Sequence, residues 1–506
     1  MRDLKLLVQL LSGVKVSNIN IIGSEGESAT RVQQLYDEIL AGKVESDEEG
    51  AQLFFPDGAY SEKYFSKLKR KLQERLLNTL FFIDVDKPQF TEYQKANQVC
   101  YRNLLIVKLL YSYGQRHLGV MIAKKTFKKA IYFDFTEVVL LLSKELRLYY
   151  STITGEKEKA ELFSGYAKKY LEIYTAELKA DEYYSELMVN YVFSKANKPE
   201  LIDKARAFCK DLDALSVIVD SYRFRFMYYL VNILRCEIEN DYGSTLKFCE
   251  SALEYFLSKK YFGVKSVLFS FYSKMIFCHS QLHQYDKAQE SILNCLGLVS
   301  EGDFNWYVAL EQYFLVSLKI HDYKKAYDVY LKVTNQPNFS AQYQQITERW
   351  KINEAFVHFL ILKGKIEPTQ EDDKHKFRIN KFLNEVPRHS KDKRGTNITI
   401  LVLQILFLLE QERYEDIFER IEPLRMYTSR YLRKDDTFRG NCFIKMLMQL
   451  PAGRFHKEAV KRKAAPYLKK LESIPLDVAK QTAELEIIPY EELWEYVMES
   501  LGNKVR

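Results

Sequence analysis

The sequence predicts an all-α protein of antiparallel helix pairs stacked into an α-solenoid, behind an irregular N-terminal segment. Three observations predict it. First, helix breakers are scarce. The 506 residues hold 11 Pro and 19 Gly, and no Pro lies between Pro88 and Pro199 or between Pro199 and Pro337. Pro breaks helix interiors and Gly weakens them, so such spans suit helices joined by short turns, whereas a β-rich chain needs turn residues about every 8–12 positions. Second, apolar residues recur every three or four positions over most of the chain, the spacing of one helix face. Third, a short turn built around Tyr returns several times in the C-terminal half. A single core stops growing near roughly 250–300 residues, so this length implies several domains or a solenoid.

Residues 1–58 are the least regular. A short helix near 2–11 precedes VKVSNINIIG (14–23), which reads as a brief strand, then a helix near 29–41, an acidic turn from Glu45 to Glu49, and a Pro-Asp-Gly stop at 56–58. From 59 to 215 an N-terminal helical array is expected. Ser61 is placed to cap its first helix. Phe65, Leu68, Leu72, Leu76 and Leu80 form one stripe, while Lys67, Arg70, Lys71 and Glu74 fall on the wet face. Further helices are expected near 90–113, 115–131 and 134–152. Thr154-Gly155 then punctuates before a charged helix at 156–178, and helices at 180–195 and 199–215 complete the array.

Residues 216–366 carry the recurring turn. It reads NDYGSTLKFCESALEYF at 240–256, HQYDKAQESILNCL at 283–296 and HDYKKAYDVYLKV at 321–333. The anchors Tyr242, Tyr285 and Tyr323 are each followed three residues on by a small residue: Thr245, Ala288 and Ala326. Apolar positions come four and seven residues later, at Cys249/Ala252, Ile292/Cys295 and Tyr330/Val333. A fourth copy places Tyr414, Ile417, Ile421 and Leu424, and RWKINEAFVHFLILKGK (349–365) would begin a further pair between them.

These turns, with a helix before and after each, resemble tetratricopeptide repeats, whose period is about 34 residues. The resemblance implies a right-handed superhelix whose first helices line a concave, partner-binding face. It covers 216–340 best, 398–430 less closely, and the N-terminal half only as generic helix pairs. Where the family prefers Gly or Ala at the helix crossing, this chain has Ile233, Ile276, Phe314 and Ile405. In the family's register the groove is formed by Leu230, Leu234, Glu237, Phe277, Gln281, Glu311, Leu315 and Lys319. The Lys/Asn set with which some family members clamp a C-terminal carboxylate is not found among those positions.

Residues 367–397 are polar and read as loops around a short helix, FRINKFLNE. Residues 398–475 are expected to form C-terminal helix pairs with a basic face, and 476–506 a capping helix whose apolar line is Ile488, Leu493, Trp494 and Val497. A solenoid needs such a cap to hide its last apolar surface. Ile398 to Leu409 is the longest apolar stretch. It contains Thr399 and Gln404 and is too short to span a bilayer, which suits a buried helix.

Chemistry is sparse. No phosphate loop, dinucleotide fingerprint or nucleophile elbow is present, so no catalytic residue and no cofactor is assigned, and the chain reads as a non-enzymatic scaffold or adaptor. Cys278, His279 and His283 share a helix face, yet lack the Glu of a zinc HExxH motif and read as packing and turn residues, so no metal ligand is assigned. The seven cysteines are scattered without CxxC and read as reduced core thiols; with an N-terminus lacking the features of a signal peptide, this predicts a cytoplasmic protein without a membrane span. The outstanding signal is charge. Residues 425–470 hold thirteen Lys/Arg and three acids, a net of ten positive charges against +7 for the whole chain. The patch is Arg430, Arg433, Lys434, Arg454, Lys457, Lys461, Arg462 and Lys463, with Tyr427, Tyr431, Phe438, Phe443, Phe455 and Tyr467 interleaved. Three readings stay open: a solvated face, a site for an acidic protein partner, and a nucleic-acid site using phosphate contacts and base stacking. The expectation is therefore a protein or peptide partner on the concave face and an acidic partner at 425–470, with a nucleic-acid-associated protein as the alternative. No oligomeric state is assigned.

Overall fold

The computed structural model describes residues 1, 4–5, 7–8, 27–56, 61–80, 90–193, 198–259, 264–336, 339, 344–368, 377–384, 396–431, 438–473 and 486–501. Every regular element among them is a helix. The proposed strand at 14–23 lies outside the described residues. The chain divides into two compact units, Met1–Thr175 and Ala176–Arg506.

In the first unit, α1 (Glu27–Leu40), α2 (Asp47–Phe54) and α3 (Ser61–Thr79) enclose a small core of Val32, Leu35, Ile39, Phe65, Leu68, Leu72 and Leu76. The acidic run expected as a turn is instead the first turn of α2. Ser46 accepts the amide of Glu49 at 3.1 Å, and the Glu49 carboxylate accepts the Ser46 amide at 3.2 Å, a capping box that places acids at the positive helix end. Next come α4 (Glu92–Ser112), α5 (Arg116–Tyr132) and α6 (Thr136–Tyr149), each packed on its sequence neighbour. A single π-helical turn, Tyr150–Thr154, follows α6 and ends at Gly155, whose φ of +68° is the left-handed conformation glycine adopts without cost.

One expectation fails here. The helices placed at 156–178 and 180–195 are a single helix, α7 (Lys157–Met188), followed by a π turn at Val189–Phe193. The supposed break, Leu178 to Asp181, contains neither Gly nor Pro, so nothing interrupts the hydrogen-bond ladder.

The second unit continues with α8 (Lys198–Ser216), then pairs α9 (Tyr222–Glu239) with α10 (Tyr242–Ser258), α11 (Lys265–Gln281) with α12 (Tyr285–Leu298), and α13 (Phe304–Lys319) with α14 (Tyr323–Thr334). It goes on through α15 (Gln344–Leu362), the short α16 (Ile379–Asn384), α17 (Thr396–Glu410), α18 (Tyr414–Tyr431), α19 (Phe438–Leu447), α20 (Gln449–Ala452), α21 (Lys457–Glu472) and α22 (Tyr490–Ser500).

The four Tyr turns are closed identically. Two residues before each anchor stands a left-handed residue: Asn240, His283, His321 and Glu412, with φ between 55° and 58°. The next amide reaches back to the helix it leaves, Asp241 to Cys236 O at 2.8 Å, Gln284 to His279 O at 2.8 Å, Asp322 to Ser317 O at 2.9 Å and Arg413 to Leu408 O at 3.0 Å. This is the Schellman closure, which satisfies the last carbonyls of one helix while turning the chain into the next. The same closure occurs at Gly114 and Asp134 in the first unit. Behind each Tyr anchor the small positions Thr245, Ala288 and Ala326 are fully buried, as are Cys249, Ala252, Ile292, Cys295 and Val333. The bulky crossings Ile233, Ile276, Phe314 and Ile405 are buried too. The anchors themselves are half-buried.

Helices α11, α13 and α15 touch in succession, and α17 packs on α15. From Leu401 to Leu409 the apolar run of α17 is buried, and the amide within it, Gln404, donates to the carbonyl of Phe382 at 2.9 Å, holding α16 in place. The C-terminal α22 lies against α17, α19 and α21. It also reaches back, since Tyr323 donates to Glu492 and Lys363 donates to the Tyr496 carbonyl at 3.1 Å.

Candidate functional site

Four of the eight expected groove residues come together. Phe277 of α11 and Glu311, Leu315 and Lys319 of α13 line one cavity of about 240 Å³, joined by Ser280, Arg349 and Asn353 of α15, Thr399 of α17 and Ile487. The other four do not. Leu234 is buried in the core, and Gln281 is buried at the end of α11, its amide nitrogen lacking a partner among the described residues. Leu230 and Glu237 are half-buried but do not reach the cavity, and Glu237 is engaged by Lys274 at 2.6 Å.

Apolar side chains make up much of the wall: Ile276, Phe277, Val308, Leu315, Val316 and Ile352. The polar groups set its character. Glu311 is paired with Arg349 at 3.1 Å, and Arg349 is about half exposed, so this pair stands toward solvent. Lys319 donates to Ser280 Oγ at 3.2 Å. Burial pushes its amine down to about 8, and the negative charge of Glu486 opposes that shift only in part. Glu486 is itself committed to Arg439, at 2.7 and 3.1 Å, and to the Tyr490 amide at 2.8 Å. Among the described residues two deep wall groups lack hydrogen-bond partners: Asn353 Nδ2 (residue 2% exposed) and Thr399 Oγ1 (5%). Unpaired buried polar atoms are uncommon and costly.

Sequence reasoning missed Ser280, Arg349, Asn353, Thr399 and Ile487. Arg349 and Asn353 are spaced i, i+4 in the segment read as the start of a further pair, so extending the groove register by one helix would have found them.

The basic segment divides differently. Arg454, Lys457, Lys461, Arg462 and Lys463 are exposed, with Lys469 and Lys470 beside them, on and just before α21. Among the described residues none of these seven forms an ion pair, and Lys463 donates to the Ala452 carbonyl. Arg433 and Lys434 lie outside the described residues, as does the Arg430 side chain. Arg439 corrects the charge count. It is 1% exposed and bound to Glu486, Glu491 and the Leu471 carbonyl, so it fastens α19 to the C-terminal segment instead of facing a partner. The Tyr427 and Tyr431 side chains lie outside the described ones, and the other aromatic residues pack on the protein. Phe443 is buried and stacks on Tyr490 at 4.5 Å, Phe455 stacks on Tyr414 at 4.4 Å, and Tyr467 packs on the core.

His279, buried, contacts the Gln284 side chain at 2.9 Å, while His283 sits in the turn against Tyr285. No group of three or more His, Cys, Asp or Glu arranged to hold a metal ion occurs among the described residues. All seven cysteines are buried and free, and burial raises their thiols, those of Cys209, Cys278 and Cys295 to about 12, which leaves them in the unreactive thiol form. No described helix is long and apolar enough to cross a membrane.

Compared with protein-family models, curated proteins and solved structures, the chain matches none.

Proposed function

We propose that this chain is a non-enzymatic, tetratricopeptide-like scaffold that holds a protein partner on the face formed by α11, α13 and α15. One observation carries the reading. Four residues assigned to the concave groove by repeat register, Phe277, Glu311, Leu315 and Lys319, line one concavity with the next first helix. A pocket of mixed apolar and polar lining, rimmed by an ion pair, is the kind of surface that seats a partner's anchoring side chain. Affinity capture from the native cell, comparing the wild-type chain with Phe277→Glu and Leu315→Glu, tests it. A specific partner lost in both variants while their helical circular dichroism persists is the expected result. A captured set unchanged by either variant sinks the reading.

The basic face of α21 supports an acidic protein as a second contact. Its unpaired cations are available, whereas Phe443, Phe455 and Tyr467 are spent on packing and give no stacking platform for bases. An oligonucleotide that binds with a steep salt dependence, lost on charge reversal at Lys461, Arg462 and Lys463, would favour the nucleic-acid alternative instead.

A further inference from the structure

The cavity between the first helices has a chemistry of its own, separate from the docking of a macromolecular partner. Its charges are mostly committed. Glu311 pairs with Arg349, and Glu486 behind the wall shares Arg439 with Glu491, so no carboxylate among the described residues forms an ion pair with the ammonium of Lys319. An ammonium carries three donors, and one is used, on Ser280. Asn353 Nδ2 and Thr399 Oγ1, both more than nine-tenths buried, supply two further donors with no acceptor among the described residues. The rest of the wall is largely apolar, and the volume is about 240 Å³.

We propose that this cavity binds a small amphipathic monocarboxylate, its carboxylate held by Lys319, Asn353 and Thr399 and its short apolar body lying against Phe277, Leu315 and Ile352. The carboxylate accepts the unused donors and gives the Lys319 ammonium a direct ion-pair partner. The apolar stem displaces water from a wall that cannot hydrogen-bond it. Inorganic phosphate would satisfy the donors and leave that wall wet.

Binding is pH-dependent through Lys319. His279 on α11 turns away to Gln284, Glu311 on α13 is paired with Arg349 of α15, α17 brings the uncharged Thr399, and Glu486 ahead of α22 is held by Arg439, which also binds Glu491. Lys319 is thus the group near the cavity that changes charge in the mildly alkaline range, and affinity falls as its proton is lost.

Calorimetric titration of the full-length chain with hexanoate, hexanamide and inorganic phosphate tests this. Hexanoate should bind near pH 7, hexanamide and phosphate at least about tenfold more weakly. Hexanoate affinity should fall by about tenfold per pH unit above about 8 and be lost in Lys319→Met and Asn353→Leu. No hexanoate binding, equal binding of hexanamide, or a flat pH profile each overturns the proposal. The last two are read on the wild-type chain and stand even if a variant misfolds. Partner capture is scored separately, so loss of one activity with the other intact shows which of the two readings has failed.

Discussion

The first-helix cavity and the basic face of α21 hold charge in opposite ways. Around the cavity, charges are few and mostly committed to named partners, and the sheltered Lys319 has its amine depressed to about 8. On α21, six Lys/Arg residues stand in solvent without ion pairs among the described residues. The lesson is that charge density and charge consequence are different quantities. Six cations on an exposed helix cost the fold little because water and salt screen them. One sheltered ammonium costs more, and one buried guanidinium, Arg439, organises the C-terminal region.

The comparison breaks most sharply at Arg439. Replacing it with Met leaves Glu486 buried without its partner, and removing one half of a buried pair typically costs about 3–5 kcal/mol. The melting temperature of Arg439→Met should drop more than that of any substitution on α21; an unchanged melting temperature would mean the C-terminal segment does not depend on the pair. Next comes packing. Ala288 and Ala326 are fully buried at the Tyr turns, so Ala288→Trp and Ala326→Trp should each destabilise by about 1–3 kcal/mol through overpacking. Neutral variants would disprove the repeat register.

Lys319 sharpens the comparison through pH. Its folded amine titrates near 8, below the ordinary lysine value, so between about 8 and 10.4 the unfolded state binds the proton that the folded state has released. Stability gains a rising contribution with pH in that window, and below it the folded chain carries the full penalty of a sheltered charge. Lys319→Met should therefore stabilise the ligand-free protein at neutral pH and remove that rise, measured as the wild-type minus variant difference in denaturant midpoints. The smallest effect belongs to α21. Lys461→Glu, Arg462→Glu and Lys463→Glu should each change stability by no more than about 0.5 kcal/mol, as exposed substitutions do. A larger loss would assign these residues a structural role.

The helices and their turns were legible because their signals are local. The stripe from Phe65 to Leu76 and the Tyr-x-x-small turns each report burial within a few residues, and those positions are buried. Local signals were also misread. The Ser46–Glu49 capping box was present in the sequence, yet the acids around it suggested a turn. The supposed break within α7 was drawn without a breaker.

What the sequence determined by itself is the all-helical character and the close of each pair, because periodicity, capping and left-handed turn residues act over one or two helical turns. Only the tertiary structure decided which side chains meet. The cavity draws residues from Ile276 to Ile487, across four helices and the segment before α22. The burial of Arg439 depends on a carboxylate 47 residues away. No local pattern encodes such distant partners. Whether a Lys is a solvated surface charge or a depressed amine facing unpaired donors is set by what packs against it, so Lys319 and Lys461, alike in sequence, became different chemical groups only on folding.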